Sequence, residues 1–431
     1  MINSPRKLII LTGDLACLHL ALFLTLVSRY SLDSLSQNWQ SHWPYFLPVF
    51  LIWLVILYIN DFYNLNSVGT SKHGYGSLLS VATISSTLTV LYFYLNLKST
   101  IAPRTNLILF IFFFLGAFYV WRRLYQSYIN RFSPKTKLAL FCSPEKAQHL
   151  LKQITENPGA GYNPDYIISN PDKLQEAIFT LVDRQIKMVV ISEKFVPHGD
   201  LNRLLAICWE NSLGISDYTS FYEQISGKVP IEELDSAWFL KNIQSRQKKY
   251  FDWSKQAADY IMAGVILITT LPLWLVVAII VKISSPGPIL FRQKRLGRAG
   301  RIFTIIKFRT MTVEEKIITP AGNFLRQTRL DELPQLINIL KGEMSFIGPR
   351  PEIPEIVEER EKQIPFYRMR LLVKPGLTGW NQISGRYHSS SYEDTLEKLQ
   401  YDLFYLKQRS FYLDSIILLK TIATITSRSG R

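Results

Sequence analysis

The chain has 431 residues, long enough for two or three domains, with 48% hydrophobic residues and a formal charge of +15. The apolar residues are gathered into long blocks, which argues against an ordinary soluble protein. The positive charge calls for an anionic counterpart: nucleic acid, an anionic membrane leaflet or a phosphorylated substrate, of which the blocks favour the last two. Cys17, Cys142 and Cys208 are scattered and form no C-x-x-C pair, so they read as small buried hydrophobes, not as a metal or redox site.

Four N-terminal segments, residues 8–27, 44–59, 78–97 and 106–125, read as membrane spans, for which about 20 apolar residues are needed; the second is the shortest. The first lacks a small-residue cleavage site and three more follow it, so no cleavable signal peptide is expected. Arg6 and Lys7 precede the first span, and Arg122, Arg123, Arg131, Lys135 and Lys137 close the fourth. Both ends of the bundle therefore read as cytoplasmic, with Lys98 and Arg104 in the third connection weighing weakly against this. Asp14 is expected to face the bundle interior, with no chemistry assigned to it.

From residue 137 to 229 short β runs alternate with helical stretches: strands at 138–142, 166–169, 188–192 and 215–218, helices near 145–156, 172–182 and 200–211. This predicts a small parallel α/β domain. The turn after its first strand, Cys142-Ser143-Pro144-Glu145, has no glycine to let a pyrophosphate approach, so the domain is expected to be structural or regulatory.

A fifth apolar block, residues 257–281, is interrupted by Pro272. Thirteen Lys or Arg and only two acids, Asp252 and Asp259, lie between residues 241 and 312, and the cations flank the block on both sides. Charge at both ends favours both ends staying cytoplasmic. Proline bends a helix, so the block reads as a re-entrant helix–break–helix, the alternative being a fifth full span. Residues 289–295 and 301–309 then alternate like two strands joined by Leu296-Gly297-Arg298-Ala299-Gly300, a hairpin; residues 336–340 continue a helix. The apolar stretch 411–425, with Asp414 and Lys420, suits the membrane interface.

The chemistry gathers between Arg326 and Arg386. Arg329-Leu330-Asp331-Glu332-Leu333-Pro334-Gln335 puts two adjacent carboxylates close to a helix start, with Pro334 suited to its first turn. An ionised Asp beside bound phosphate can be a nucleophile that forms an acyl phosphate, or a ligand for Mg²⁺. The bland alternative is a cap, since Thr328-x-x-Asp331 has a capping-box spacing. Gly348-Pro349-Arg350-Pro351 holds one guanidinium outward on a rigid loop, and such a fork matches phosphate geometry. Lys374-Pro375-Gly376-Leu377-Thr378-Gly379-Trp380 is a glycine-rich turn with an aromatic, and Arg386 follows it. Singly these basic residues, Arg326, Arg329, Arg350, Lys374 and Arg386, read as solvated surface charge; jointly they suit diphosphate and nucleotide recognition.

Together Lys307-Phe308-Arg309-Thr310-Met311, the Leu330–Gln335 motif, Gly348-Pro349-Arg350-Pro351 and Lys374-Pro375-Gly376-Leu377-Thr378-Gly379-Trp380 closely resemble the bacterial sugar transferase family, the monotopic polyprenyl phosphate phosphoglycosyl transferases. The resemblance runs from about residue 248 to the C-terminus. The preceding spans and α/β domain look like the large, membrane-anchored branch that initiates exopolysaccharide, capsule or O-antigen assembly. The resemblance implies that Asp331 attacks the β-phosphate of a UDP-sugar, releases UMP and carries a phosphosugar that undecaprenyl phosphate then takes. It further implies that Glu332 assists through Mg²⁺, with Asp331 and Glu332 as the metal ligands, and that Arg326 and Arg350 hold phosphate groups. Asp402, in Tyr401-Asp402-Leu403-Phe404-Tyr405, matches a family position of less defined role. The residues do not specify the sugar: the resemblance suggests glucose or galactose, with an acetamido sugar as the alternative, at the cytoplasmic face of a bacterial inner membrane, and a homodimer is what the family suggests.

Two departures concern the re-entrant helix. Its entry reads Lys255-Gln256-Ala257-Ala258-Asp259 where the family has Lys-Arg before an Asp, keeping an i,i+4 pairing of Lys255 with Asp259. Its break reads Leu271-Pro272 where the family has Ser-Pro, with Thr269 and Thr270 upstream as substitutes for the missing hydroxyl. The expected architecture is thus a membrane protein, α plus α/β. Four transmembrane helices occupy residues 1–130 and a Rossmann-like α/β domain 131–240. A re-entrant helix with a small α+β catalytic domain occupies 241–431. A non-catalytic scaffold would predict decay of the Asp–Glu and Gly-Pro-Arg-Pro motifs, which are intact; no nucleic-acid motif interleaves with the basic residues; and a nucleotide-sugar oxidoreductase lacks its glycine fingerprint.

Overall fold

The computed structural model describes residues 5–60, 62–63, 75–95, 103–132, 135–170, 180–192, 195–242, 249–315, 317–385 and 391–426. They form two compact units, Met1–Ser226 and Gly227–Arg431.

The first unit opens with helices α1 (Pro5–Arg29), α2 (Leu35–Ile59), α3 (Tyr75–Leu95) and α4 (Pro103–Phe132). At 1.5 Å per residue the 25 residues of α1 reach about 38 Å, enough for a hydrocarbon core of roughly 30 Å. Among the described residues four helical stretches are long and apolar enough to cross a membrane: Lys7–Arg29, Leu35–Ile59, Asn106–Tyr128 and Lys249–Ser284. Helix α2 starts well ahead of residue 44, because Trp39 and Trp43 pack on Phe23 and His19 of α1 and carry the helix through a polar stretch. Pro44 and Pro48 lie inside it. Asp14 is fully buried, facing the bundle interior as expected, and its carboxylate takes Arg122 Nη2 of α4 at 2.6 Å. Arg122, counted in the sequence as a flanking cation, is thus a partner inside the helical bundle.

Strands β1 (Thr136–Phe141), β2 (Tyr162–Ile168), β3 (Met188–Ile191) and β4 (Gly214–Asp217) form one all-parallel sheet in the order β2-β1-β3-β4. Leu138, Ala139, Leu140 and Phe141 are all fully buried, because both faces of the central strand are covered. Ala139, Phe141 and Val189 face one core with Leu204 and Cys208 of α6 (His198–Glu210). Leu138, Leu140 and Cys142 face another, with Leu150 of α5 (Pro144–Glu156) and Phe221 of α7 (Tyr218–Ser226). All three cysteines are buried, and none of them forms a disulfide. The helix expected at 172–182 falls mostly on residues 171–179, outside the described residues.

In the second unit, Val229, Ile231 and Leu234 already belong to the main core, so the chain joins it ahead of the expected junction at 240/241. After α8 (Ser236–Asn242), helix α9 (Lys249–Ser284) runs for 36 residues with Pro272 inside it, and helical assignment continues across the expected break. Thr269 and Thr270 bond back to the carbonyls of Val265 and Ile266 at 2.9 and 2.7 Å. The carbonyl that Pro272 leaves without its usual donor is that of Ile268, one turn back, so these hydroxyls do not replace the lost bond.

The hairpin β5 (Leu290–Leu296) and β6 (Ile302–Phe308) is antiparallel, with Leu290 opposite Phe308. Helices α10 (Pro320–Gln327) and α11 (Gln335–Leu340) follow, then β7 (Ser345–Ile347), α12 (Pro354–Gln363), β8 (Gly376–Thr378), α13 (Trp380–Ser384), α14 (Tyr392–Gln408) and α15 (Phe411–Thr426). Helix α15 is docked on one side by Leu413 and Ile417, while Phe411, Tyr412 and Ile422 stay exposed.

Strands β7 and β8 pair in parallel and bring the Gly-Pro-Arg-Pro loop against the Lys374–Trp380 turn: Gly348 N–H donates to Thr378 O and Gly376 N–H to Pro349 O, both at 2.9 Å. A Cβ on Gly376 would collide with the backbone of Gly348. Gly348 and Gly376 therefore serve backbone-to-backbone packing. Gly376→Ala is expected to destabilise this unit by about 1–3 kcal/mol, as overpacking does, measured by denaturant unfolding in detergent; unchanged stability would contradict the close packing.

Candidate active site

The chain leaves α10 through Thr328 and passes Arg329, whose φ of +58° is left-handed. It then makes one 3₁₀ turn, Leu330–Glu332, before α11. The Thr328 hydroxyl bonds back to Phe324 O at 2.8 Å and caps nothing around Asp331, so the capping-box alternative is not realised. Pro334 stands at the N-cap of α11, one position ahead of the first turn. With six residues α11 has little dipole to offer, and the ionisation of the two carboxylates is governed by side chains instead.

Asp331 and Glu332 are both 7% exposed, yet their surroundings differ. Glu332 Oε1 takes Lys307 Nζ at 2.8 Å, Oε2 takes Arg329 Nη1 at 3.4 Å, and Arg350 Nη2 stands 3.9 Å from Oε1. Burial alone would raise its pKa, but Lys307, Arg350 and Arg329 outweigh that and hold it below the usual carboxylate range. Asp331 goes the other way. Burial, reinforced by the Glu332 charge, raises its pKa against the pull of Lys307, Arg329 and Arg326, and its Oδ1 has no hydrogen-bond partner.

Both acids line a cleft of about 1250 Å³ between the β5–β6 hairpin, α10 and the Gly-Pro-Arg-Pro loop. Arg292, Arg295, Lys307, Arg309, Arg326, Arg329 and Arg350 line it too. Some of these cations are committed to the scaffold: Arg309 Nη2 donates to Ser285 O at 2.7 Å, and Arg295 Nη1 to Pro351 O at 3.1 Å. Arg326 Nε donates to Thr310 Oγ1 at 2.9 Å. The Arg350 side chain is half exposed, and its one ion pair among the described residues is the 3.9 Å contact with Glu332, which leaves its fork for a ligand.

Beneath the Arg350 loop lies a buried ion network. Arg370 Nη1 meets Glu352 Oε1 at 2.5 Å, while its Nη2 meets Asp402 Oδ2 at 2.8 Å and Arg350 O at 3.2 Å. Burial would lower the Arg370 pKa, but Glu352 and Asp402 hold it charged. Asp402 also accepts from Asn381 Nδ2 at 2.7 Å. Expected among the binding residues, Asp402 lies under the loop and not in the cleft.

Lys374 is placed elsewhere too, in a second cleft of about 190 Å³ with Lys255, Asp259, Arg298 and Arg409. Burial lowers its pKa, with Asp259 opposing. The expected Lys255–Asp259 pairing is not made: Lys255 Nζ meets Asp414 Oδ2 at 2.5 Å, and Asp259 Oδ1 accepts the Phe346 N–H at 3.4 Å. Arg386 lies outside the described residues. The structure thus gathers Asp331, Glu332, Arg326, Arg329 and Arg350 in one cleft and sets Lys374, Asp402, Lys255, Asp259 and Pro272 apart from it. Lys307 was quoted in a motif without a role. Its signal was its place on β6, two residues beyond buried Phe303 and Ile305, where a lysine shares the inward-facing parity of an alternating strand.

Two unlike carboxylates in a cation-lined cleft form a geometry suited to phosphorylated ligands. The model of the bacterial sugar transferase family matches residues 250–428, and the chain belongs to that family. It is 34% identical over 244 residues to the UDP-N-acetylgalactosamine-undecaprenyl-phosphate N-acetylgalactosaminephosphotransferase of Aeromonas hydrophila, covering 54% of this chain and 57% of the relative. It is 40% identical over 217 residues to the UDP-glucose:undecaprenyl-phosphate glucose-1-phosphate transferase of Xanthomonas campestris pv. campestris, covering 47% and 43%. To the enzyme of the latter name in Caulobacter vibrioides it is 35% identical over 187 residues, covering 40% of this chain and 70% of the relative. The chain spans about half the length of the first two.

Since the folded unit disfavours ionised Asp331, its stability is lowered at pH above the raised pKa, and the penalty fades as pH falls through that value. Asp331→Asn removes the penalty, so at pH 8 its Tm in detergent is expected to exceed that of the wild type by ~2 °C or more, the gap closing as pH falls. A lower Tm at pH 8 would contradict this reading.

Proposed function

We propose that this protein transfers a sugar-1-phosphate from a UDP-sugar to undecaprenyl phosphate at the cytoplasmic face of the bacterial inner membrane, releasing UMP and initiating exopolysaccharide, capsule or O-antigen assembly. The observation that carries the reading is Asp331, buried beside a cation-lined cleft with one carboxylate oxygen unpartnered, next to a Glu332 held ionised by three cations. The names of the relatives supply the substrate class.

In this mechanism an Asp331 carboxylate oxygen attacks the β-phosphorus of the UDP-sugar. The bond from that phosphorus to the bridging oxygen breaks, UMP leaves with the electron pair, and an acyl phosphate carries the sugar. An oxygen of undecaprenyl phosphate then attacks the same phosphorus, breaking the bond to Asp331 and freeing the carboxylate. Desolvation favours this nucleophile, because a carboxylate held poorly in its charged state gains by sharing that charge. Arg350 and Arg326 hold diphosphate oxygens, and Lys307 with Arg329 keeps Glu332 charged and oriented. Mg²⁺ fits the donor set, since it binds through one or two carboxylates plus substrate phosphates and Asp331 Oδ1 lacks a partner. Asp331 and Glu332 would hold it, and when bound it neutralises diphosphate charge.

The re-entrant reading of α9 is supported by what its two halves touch. In the first half, Asp252 meets Arg409 at 3.2 Å and Lys255 meets Asp414. In the second, Val277 and Val281 share a core with Phe308 and Leu325. At about 1.5 Å per residue the 36-residue helix would reach about 54 Å if straight, well beyond one hydrocarbon core. Yet both halves are held by one domain, while Ile268, Leu271 and Leu275 between them stay exposed. The parallel sheet order likewise supports a Rossmann-like reading of the middle domain, with a structural or regulatory role.

The direct test is UMP release by purified protein in nanodiscs with undecaprenyl phosphate, Mg²⁺ and a panel of UDP-sugars, UDP-glucose and UDP-galactose first. Asp331→Asn is expected to lower the rate by about a thousandfold or more, and product formation retained by that variant would sink the mechanism. Arg350→Ala is expected to raise the KM for UDP-sugar by about tenfold or more, a lost bidentate contact. The acid limb of the pH–rate profile is expected above the usual carboxylate range of about 4, because the attacking group is the raised carboxyl.

A further inference from the structure

A second, apolar cavity of about 210 Å³ adjoins the active-site cleft, and Arg329 and Glu332 line both. Its other walls are almost wholly apolar: Leu333 and Leu336 after the catalytic turn, Phe346 and Leu377 from the β7–β8 pair, Leu418 from α15 and Ile266 from α9. Ile266 belongs to the helix whose neighbouring residues Val265 and Ile268 are exposed apolar surface, so the cavity reaches from the buried acids to the membrane-facing helix. Thr378, Thr421 and Thr424 also line it, with their hydroxyls hydrogen-bonded within the protein. Gln382 lines the cavity, and its side-chain Nε2 is buried without a hydrogen-bond partner. A buried donor left unpaired is costly, about 1–3 kcal/mol in general, and calls for an explanation in function.

We propose that this cavity is the subsite for the acceptor's first isoprene unit, with Gln382 donating to the acceptor phosphate where the chain meets Arg329. The inference rests on the transferase reading and adds where the lipid enters. At about 210 Å³ the cavity has room for an isoprene unit. The remainder of the chain stays in the bilayer along α9. An isoprenoid phosphate is the occupant that matches all three features: an apolar body, an anionic end at Arg329, and a second phosphate oxygen for the unpaired amide. Its phosphate would meet the catalytic turn at Arg329 and Glu332, the residues shared with the UDP-sugar cleft.

The experiment measures KM for undecaprenyl phosphate and for the UDP-sugar in nanodiscs, for wild type, Gln382→Leu and the cavity-filling Leu418→Trp, with folding checked by thermal melts. In both variants the acceptor KM is expected to rise about tenfold more than the UDP-sugar KM. Equal movement of the two, or none, overturns the subsite. A folded wild type that releases no UMP from any UDP-sugar overturns the transferase reading and the subsite with it. A polyprenyl phosphate with a diazirine on its phosphate-proximal isoprene provides a readout independent of the variants. Labelling of residues 377–383 or 418–424, displaced by undecaprenyl phosphate, supports the assignment. Labelling displaced instead by phosphatidylglycerol assigns the cavity to bulk lipid and overturns it.

Discussion

A charge removed from water must find a partner or lose its ionised form, and the active unit of this protein turns on two adjacent carboxylates that meet this constraint in opposite ways. Glu332 is ringed by Lys307, Arg329 and Arg350 and remains an anion. Asp331, equally buried one residue away, keeps an unpartnered oxygen and holds its proton more tightly. The left-handed Arg329 and the single 3₁₀ turn after it separate the two environments within three residues. One carboxylate is thereby a fixed electrostatic anchor, and the other is left with an oxygen open to a ligand.

The same logic extends downward from the cleft. Arg350 can offer its guanidinium to a ligand because its backbone is held from below by Arg370, whose own charge is compensated by Glu352 and Asp402. Arg295 fixes the next carbonyl, that of Pro351. The loop is therefore positioned by a buried polar network in which every member depends on the others, so that loss of any one leaves another charge uncompensated. Behind the loop, Gly348 and Gly376 press backbone against backbone and fix its distance from β8.

Much of this was legible in the sequence. The apolar blocks placed all four N-terminal helices, alternation placed the parallel strands and the hairpin, and the motifs placed Asp331, Glu332, Arg326 and Arg350 in one site. What was not legible depends on contacts between segments far apart in the chain. The start of α2 is carried through polar residues by Trp39 and Trp43 stacking on α1, which local composition does not reveal. Lys374 stands in a motif beside catalytic ones, but β7–β8 pairing sets it toward Tyr260 and Asp259 in a different cleft. Asp402 and Lys255 each have a partner, Arg370 and Asp414, that no spacing rule would select. Lys307 was the exception that could have been assigned, since strand parity already pointed it inward.

The pairing of Lys255 with Asp414 also bears on how the protein is made. The two residues are 159 positions apart, so at roughly 5–20 residues per second the ribosome needs about 8–30 s after Lys255 emerges before this ion pair can form. The second half of α9 meets Phe308 and Leu325 well within that interval, so the helix is gripped from its C-terminal half first. The end that carries Lys255 is fastened only when α15 brings Asp414 to it, and synthesis order then gives way to folding.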